Sequence, residues 1–485
     1  MARSWRFWLL LSCWLGAVLR FRGLFANTFH ADEALFATWA RLIAVWRDPL
    51  LLTQAVDKPP LLFYLQALFY PLFGPVEFAA RLPSWIASLL LIPLTAQLAR
   101  RLTGDRAAAV VAAFLVAVAP LAVQFSATAF SDAPLTLWLM AALYVAARPH
   151  SSPDRAGPWP WAAGLLFGLA LATKYQALLF APLLVAMAWL AGWRGAAWRR
   201  GLAGFVVVVG LLLLWQALRP AAGGLVGLQW ANIGGIRPVR SWELWPRLAQ
   251  MGWLWRLTWG WPLLALSAAA LTGFAARRRL MPVEAGLLLF VVAYLALHWL
   301  WAVPVWDRYL LPILPLIAIL IGRGLSVLWS AFCGLRSVVC GRRSRQFVFA
   351  ALAVLALAHL PIAAAARAGR YPIGGQPTAD GGAARAAEAL KDAPYGTVLY
   401  DHWYSWHWRY QLFDGRVYVS WFPHADALLA DLAAFGGVGP LRAIALPASA
   451  AARPVVRRLA ESGYRLEPLP GQDGTAGVII YRIGH

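Results

Sequence analysis

Long apolar runs recur along this 485-residue chain and constrain its fold more than any other feature. A helix of about 17 to 25 apolar residues spans the hydrocarbon core of a bilayer. Only 13% of the residues are charged, whereas soluble proteins have about 25%. The sequence therefore predicts a polytopic α-helical membrane protein with about eleven transmembrane helices. The spans are expected at residues 7–25, 83–99, 107–123, 132–147, 161–173, 176–193, 202–218, 257–275, 284–301, 309–328 and 347–366.

The connections between these spans alternate in charge, which predicts the orientation of the chain. With the N-terminus in the cytoplasm, every inner connection is basic, as the positive-inside rule requires. The arginines of these connections are Arg100, Arg101 and Arg106; Arg148 and Arg155; Arg194, Arg199 and Arg200; Arg277, Arg278 and Arg279; and Arg336, Arg342, Arg343 and Arg345. We therefore expect a transmembrane module over 1–369 in the cell (inner, cytoplasmic) membrane, with residues 370–485 on the extracytoplasmic side.

The formal net charge of +22 raises the question of nucleic-acid binding. Residues 370–485 contain 11 Lys and Arg against 10 Asp and Glu, so the excess of positive charge lies in the short membrane loops. Membrane orientation accounts for such a distribution, and we expect no nucleic-acid partner.

Two segments outside the predicted spans are long enough to carry structure of their own. The first outer loop, 26–82, alternates amphipathic pieces with Pro-rich joints and predicts helices along the membrane surface. In 370–485, strand-like segments alternate with helical ones, which predicts an extracytoplasmic α/β domain. The strand-like segments are G-T-V-L-Y-D, R-V-Y-V-S-W, L-R-A-I-A-L-P and G-V-I-I-Y-R-I. An aromatic run with two histidines, 401–410, is either a carbohydrate or lipid-headgroup surface or a surface that packs on the membrane.

Acidic residues of the membrane part are scarce, and those on the predicted outer face are the most informative. Asp32 and Glu33 follow the first span, and Asp132 begins the fourth. Ionisable groups at membrane depth are costly and tend to be functional or paired. The alternative for Asp132 is a structural one, in which Ser131 and Asp132 cap the helix with a proline in its first turn.

Cations gather on the same predicted face. Lys58, Arg81, Lys174 and Arg308 all lie at outer ends or in outer loops. The alternative for the lysines is that they snorkel to the interface, and Asp307 could simply neutralise Arg308. Cations can bind a phosphate or diphosphate headgroup, while a carboxylate can take a proton from an attacking hydroxyl. The combination suits transfer of a group from a lipid with a phosphate or diphosphate headgroup to an acceptor at the membrane surface.

Six motifs, in order, resemble the GT-C glycosyltransferases, and most closely their protein O-mannosyltransferase and aminoarabinose (lipid A) transferase branch. The motifs are D-E-A-L-F-A, D-K-P-P-L-L-F-Y, F-G-P-V-E-F-A-A-R-L-P-S, S-D-A-P-L, A-T-K-Y and R-Y-L-L-P-I-L-P. The resemblance extends over roughly 7–330. The chain departs from the family pattern at Phe36, where Tyr is frequent, and at Tyr175, where Gly is frequent. These departures concern donor-headgroup contacts and sugar identity.

The resemblance implies an inverting transferase with a polyprenyl-phosphate sugar as donor and a lipid, glycan or protein hydroxyl as acceptor. It implies no cofactor, and a reaction independent of metal or only weakly associated with one. The catalytic role carries to Asp32, with Glu33 beside it, and to Asp132. Donor binding carries to Lys58, Arg81, Lys174, Arg308 and Tyr309, of which Arg81 could instead support the loop.

Two other classes of function are considered. A transporter or flippase of lipid-linked sugars would place its charges near the membrane centre and would show repeated halves or broken helices. A membrane-anchored scaffold would explain the C-terminal domain but not the first outer loop. The one-sided charges and the absence of a visible repeat favour the enzyme.

Overall fold

The computed structural model describes residues 2–149, 157–219, 224–233, 237–275, 280–334, 342–471 and 477–484. The described part divides into two compact units. The membrane unit comprises Met1–Ala26 and Leu42–Gly374, and the sheet unit comprises Asn27–Arg41 and Gly375–His485. The start of the first outer loop therefore groups with the C-terminal residues. The boundaries expected from the sequence, at 26, 82 and 369, stay predictions.

The membrane unit is built from helices, and each of the predicted spans overlaps one or two of them. In chain order they are α1 (Ala2–Ala26), α2 (Ala31–Ala44, which crosses the division between the units), α3 (Leu61–Ala67), α4 (Tyr70–Phe73), α5 (Glu77–Thr103), α6 (Arg106–Val118), α7 (Pro120–Phe125), α8 (Asp132–Ala146), α9 (Trp159–Thr173), α10 (Ala181–Leu190), α11 (Gly195–Ala217), α12 (Leu225–Ile233), α13 (Ser241–Ala275), α14 (Pro282–Leu300), α15 (Leu314–Gly334) and α16 (Arg342–Arg367). Short 3-10 helices, Tyr175–Phe180 and Asp307–Ile313, precede α10 and α15.

Six of these segments are long and apolar enough to cross a membrane: α1, α5, α11, α13, α14 and the stretch Asp307–Ala331. Shorter apolar helices lie at Leu61–Phe73, Arg106–Val118, Asp132–Ala146, Trp159–Thr173 and Tyr175–Leu190. The chain is a multi-pass membrane protein, as predicted. The predicted connection between the spans at 202–218 and 257–275 contains helix, because α12 and the start of α13 lie in it. Helix α13 has a kink at Gly260.

Two helix pairs approach closely because glycine lies at the crossing. A Cβ atom at Gly164 of α9 would lie 1.8 Å from the Gly201 carbonyl oxygen of α11. A Cβ atom at Gly273 of α13 would lie 2.1 Å from the Gly324 carbonyl oxygen of α15. Small residues let transmembrane helices pack backbone against backbone, where dispersion contacts replace the hydrophobic driving force.

The predicted third span, 107–123, is one element in the sequence but two in the structure. Pro120 has no N–H, and Ala119 leaves the helical region with a ψ of 122°, so α6 ends and α7 begins in a new direction. The carbonyls of Val116, Ala117 and Val118 therefore lack the helical hydrogen bond from the N–H of the residue four positions later. Unpaired carbonyls inside an apolar core cost about 1–3 kcal/mol each.

Side chains of two other helices supply the missing donors. Arg20 of α1 is 1% exposed, and it donates to the Val116 carbonyl at 2.8 Å and the Ala117 carbonyl at 2.7 Å. His359 of α16 lies 2.9 Å from the Val118 carbonyl. A buried arginine in a membrane helix thus satisfies backbone at a break, which is how non-helical backbone is tolerated at membrane depth.

The sheet unit contains a five-stranded sheet with the order β2-β1-β3-β5-β4. Its strands are β1 (Thr397–Asp401), β2 (Val417–Trp421), β3 (Arg442–Pro447), β4 (Arg465–Pro468) and β5 (Val478–Gly484). Its helices are the start of α2, α17 (Ala383–Ala387), α18 (Ser405–Gln411), α19 (Ala425–Phe435) and α20 (Arg453–Glu461), with 3-10 helices at Glu388–Leu390 and Ala450–Ala452. β1 pairs in parallel with β2 and β3, while β5 runs antiparallel to β3 and β4.

The four strands predicted from the sequence are confirmed as β1, β2, β3 and β5, and the α/β class of the domain with them. β4 was not predicted, because Arg-Leu-Glu-Pro is a short edge strand with little apolar content. Both faces of the sheet are covered. Leu399 and Ile480 pack on one side with Trp408, and Tyr400 and Ile444 pack on the other.

We predict that Arg20→Met destabilises the protein by at least about 2 kcal/mol, because two buried carbonyls lose their donors. The measurement is chemical unfolding in detergent, followed by tryptophan fluorescence. Arg22→Met is the matched control, since Arg22 is an exposed arginine on the same helix. Equal unfolding midpoints for the two variants would contradict the role given to Arg20.

Candidate functional site

The membrane unit brings together several of the residues selected from the sequence. Asp132 is the first residue of α8 and is 2% exposed. Lys174 donates to its Oδ1 at 2.6 Å, and the Arg308 Nε lies 3.9 Å from its Oδ2. The Lys174 ammonium also lies 4.5 Å from the centre of the Tyr309 ring. We call Asp132, Lys174, Arg308 and Tyr309 the Asp132 cluster.

Breaks in helical structure place these side chains. Lys174 has extended backbone between α9 and the following 3-10 helix, and Arg308 and Tyr309 lie in the 3-10 helix before α15. The Tyr294 hydroxyl donates to the Tyr309 carbonyl at 2.7 Å. The cluster therefore consists of polar residues at helix ends, held by neighbouring helices rather than by a flexible loop.

Two contacts hold the segment that leads into Asp132. The Gln66 amide donates to the Ala129 carbonyl at 3.1 Å, and the Ser84 hydroxyl donates to the Phe130 carbonyl at 2.8 Å. The capping alternative is not what the structure shows, because the Ser131 side chain makes no cap hydrogen bond and the Asp132 carboxylate pairs with Lys174.

Asp307 directly precedes Arg308 in the chain, and its neutralisation of the Arg308 guanidinium stays a prediction. Its carboxylate accepts from the backbone N–H of Arg308 at 2.7 Å and of Gly374 at 3.0 Å. The Arg308 guanidinium lies over the Phe130 ring, 4.3 Å from its centre. Arg308 thus packs against Phe130, two residues before Asp132 in the chain.

Lys58 belongs to the same part of the membrane unit. Its ammonium donates to both carboxylate oxygens of Asp57, at 2.9 and 2.8 Å, and its charge acts on Lys174. The Asn232 amide donates to Asp57 Oδ2 at 2.8 Å. Asp57 was missed by the sequence analysis, although it directly precedes Lys58 in the D-K-P-P motif. Lys58, Lys174 and Arg308 with Asp57 and Asp132 carry a net charge of +1 when all are ionised (three cations and two carboxylates).

The loop that carries Lys58 is tied to the far end of α11. Arg219 donates to the carbonyls of Leu51 at 2.9 Å and Gln54 at 2.8 Å, and stacks on the Trp215 ring at 4.1 Å. Trp215 in turn donates to the Tyr64 hydroxyl at 2.9 Å. These contacts fix the backbone on both sides of the Lys58 segment.

Arg81 has a different setting from the other predicted cations. Its side chain is 1% exposed and pairs with Glu77, one turn earlier on α5, at 3.2 Å. The two roles considered for Arg81, donor binding and support of the loop, stay predictions.

The two adjacent carboxylates of the first loop, Asp32 and Glu33, lie in the sheet unit. His30 is the N-cap of α2: its Nδ1 accepts from the Asp32 N–H at 3.2 Å, and Glu33 accepts from the His30 N–H at 2.9 Å. This reciprocal pair is a variant of the capping box, with imidazole in place of the usual hydroxyl and the N–H of the second helical residue in place of the third. Glu33 is 1% exposed, whereas Asp32 is partly exposed at the helix N-terminus. The structure thus gives the two carboxylates different environments.

Among the described residues no group of three or more His, Cys, Asp or Glu side chains could hold a metal ion. That the reaction needs no metal stays a prediction.

The chain is similar to known proteins in both sequence and fold. Residues 57–218 match the family model described as dolichyl-phosphate-mannose-protein mannosyltransferase. That match includes Lys58, Arg81, Asp132 and Lys174. No curated protein matches the chain significantly by sequence.

Solved structures match almost the whole chain. ArnT from Cupriavidus metallidurans in the apo state is 18% identical with a TM-score of 0.67, over 99% of this chain and 98% of that one. The same protein bound to undecaprenyl phosphate is 18% identical with a TM-score of 0.65, over 98% of each. The oligosaccharyltransferase AglB from Archaeoglobus fulgidus, in complex with an inhibitory peptide and a dolichol-phosphate, is 15% identical with a TM-score of 0.52, over 85% of this chain and 64% of that one.

At this identity the structural similarity establishes a shared fold. The chain has the fold of the GT-C glycosyltransferases, and the resemblance drawn from its motifs is confirmed. The roles of individual residues stay predictions.

We predict strong coupling between Asp132 and Lys174, because removal of either partner leaves a buried charge uncompensated. In a double-mutant cycle with Asp132→Asn and Lys174→Met, the unfolding free energies should show a coupling of at least about 1 kcal/mol. The same cycle for Asp57 and Lys58 is the control, and its coupling should be smaller because the Lys58 side chain is 32% exposed. Additive effects at Asp132 and Lys174 would contradict the buried pair.

Proposed function

We propose that the protein is an integral-membrane glycosyltransferase that moves a sugar from a polyprenyl phosphate to a hydroxyl group. The acceptor is a lipid, glycan or protein on the extracytoplasmic face, and the reaction inverts the anomeric carbon. The observation that supports this most is the cation-rich Asp132 cluster with Lys58 beside it, in a chain of GT-C fold. Two of the similar structures contain a polyprenyl phosphate, undecaprenyl phosphate in ArnT and a dolichol-phosphate in AglB, which supports the proposed donor.

Lys58, Lys174 and Arg308 are proposed to bind the phosphate of the donor. Phosphate oxygens accept charge-assisted hydrogen bonds from such groups, and these shorten as the leaving phosphate gains charge. Tyr309 contributes its ring beneath the Lys174 ammonium, which holds that ammonium in place. Asp132 keeps Lys174 and Arg308 oriented. Arg81 is proposed to support α5 rather than to touch the donor.

Asp32 is proposed as the base that takes the proton from the acceptor hydroxyl. It is the partly exposed member of the acidic pair and lies in the first turn of α2. As the acceptor oxygen attacks the anomeric carbon, its proton passes to the Asp32 carboxylate and the bond to the phosphate oxygen breaks. Glu33 is proposed to hold the helix start through the capping box.

We predict that Asp32→Asn lowers kcat by about 10²-fold or more, because the amide cannot accept the proton. The assay uses purified protein, labelled polyprenyl-phosphate sugars and membrane extract as the source of acceptor. Glu33→Gln is the matched control, since a glutamine at this position still completes a capping box, and it should keep most of the activity. Undiminished transfer by Asp32→Asn would show that the assigned role is wrong.

Lys58→Ala should raise KM for the donor by roughly 10-fold or more, the cost of losing a charge-assisted hydrogen bond. The effect on kcat should be smaller if Lys58 mainly binds the ground state. An unchanged KM would exclude Lys58 from the donor site.

The same assay distinguishes the transporter alternative. A flippase would move the labelled lipid across the membrane of a proteoliposome with its sugar–phosphate bond intact. Release of free polyprenyl phosphate together with a labelled acceptor supports the transferase.

A further inference from the structure

The segment before α2 is bound to C-terminal residues more than 300 positions away in sequence. Within the sheet unit, the Asn27 amide donates to the Gly375 carbonyl at 2.9 Å. The Thr28 hydroxyl donates to the Pro377 carbonyl at 3.0 Å and accepts from the Asp380 N–H at 3.2 Å. These contacts fix the backbone directly ahead of the capping box.

His407 of α18 makes the next contact. Its ring is buried, and its Nε2 lies 3.0 Å from the Phe29 carbonyl oxygen. A carbonyl can only accept, so Nε2 carries the proton and Nδ1 carries a lone pair. Phe29 immediately precedes His30, the N-cap of α2. His407 therefore contacts the carbonyl of the residue next to His30, and the His30 imidazole accepts a hydrogen bond from the Asp32 N–H.

The other end of the same helix segment is held by the same domain. Arg41 donates to the Tyr410 carbonyl at 3.1 Å, and its guanidinium lies 4.1 Å from the centre of the Phe413 ring. The Phe29 ring packs edge-on against Tyr410 at 5.0 Å. Both ends of the Asn27–Arg41 segment are thus attached to residues of α18 and its C-terminal extension.

We propose that His407 of α18 is a positioning residue that holds the start of α2 and thereby sets the place of Asp32. The inference rests on the proposed function, since it gives the catalytic carboxylate its support. It assigns His407 no contact with substrate.

The protonation state of His407 matters for this role. Three titratable groups act on its imidazole: Asp380, His30 and Asp401. Both carboxylates are already engaged by backbone N–H groups, Asp380 by Gly382 and Asp401 by Tyr404. Burial lowers the pKa of His407 below its ordinary value of 6.5, although the Phe29 carbonyl and the two carboxylates oppose the shift.

Protonation would add an N–H at Nδ1, which is buried and has no hydrogen-bond partner among the described residues. The neutral imidazole is therefore the form that fits. Because the unfolded chain binds the proton more readily, the contribution of His407 to stability is full above pH 6.5 and is lost as the pH falls below that value.

The experiment compares His407→Gln and His407→Leu with the wild-type full chain in detergent. Glutamine can still donate to the Phe29 carbonyl, and leucine cannot. His402→Leu is the matched control, since His402 lies in the same domain but contacts the Phe422 carbonyl instead. The readouts are hydrogen exchange of the peptide containing residues 29–36, and kcat and KM for transfer from a labelled polyprenyl-phosphate sugar, between pH 5 and 7.

We expect His407→Leu to speed exchange at residues 29–36 and to lower kcat about tenfold or more, with KM for the donor within about twofold, because a misplaced catalytic group costs rate. His407→Gln should keep both near wild type at pH 7 and should lose less activity than wild type as the pH falls to 5. His402→Leu should leave exchange at residues 29–36 unchanged.

Wild-type exchange and kcat in His407→Leu would overturn the positioning role and leave the proposed function standing. Faster exchange with unchanged kcat would likewise overturn it, since the contact would then be structural only. Absence of transfer by the wild-type protein from every donor tried would overturn the proposed function and this inference together.

Discussion

Inside a membrane every backbone N–H and C=O needs a partner from the protein, and this requirement governs the structure around the α6–α7 break. Pro120 removes one donor, and the turn at Ala119 separates others from their acceptors. Arg20 and His359 replace them from α1 and α16. After the break, α7 leads through residues 126–131 to α8, whose first residue, Asp132, pairs with Lys174 and lies 3.9 Å from Arg308. A buried arginine that the sequence analysis did not select thus supports the path of the chain into the cluster.

Asp132 and the pair Asp32 and Glu33 have different surroundings. Asp132 is buried and paired with Lys174, whereas Asp32 is partly exposed in the first turn of α2. Glu33, its neighbour in sequence, is buried and accepts a hydrogen bond from the His30 N–H. Adjacent residues of the same chemical type therefore have different environments, because a helix start directs successive side chains in different directions.

Much of the fold could be predicted because the pattern of apolar residues within a short segment indicates a helix or a strand. The predicted spans coincide with helices, and four of the five strands were found from alternating or continuous apolar segments bounded by turn residues. The site was predictable as far as residue type and sidedness allowed: Asp132, Lys174, Arg308 and Tyr309 were selected and lie together. Asp57, Arg20 and His407 were not, since an acid beside a lysine, an arginine in an apolar run and a histidine in an aromatic segment each have several ordinary explanations.

The sequence by itself determined the membrane class, the helices, the α/β character of the C-terminal domain and the chemical nature of the candidate residues, because each of these follows from local composition and spacing. Only the tertiary structure decided that Asn27–Arg41 groups with Gly375–His485, that Lys58 is paired with Asp57, and that Arg81 is enclosed. These outcomes depend on contacts between residues far apart in the chain, such as His407 with Phe29, for which no local pattern carries information. The physical reason is that a hydrogen bond needs a partner at about 3 Å, and chain folding alone determines which partner arrives there.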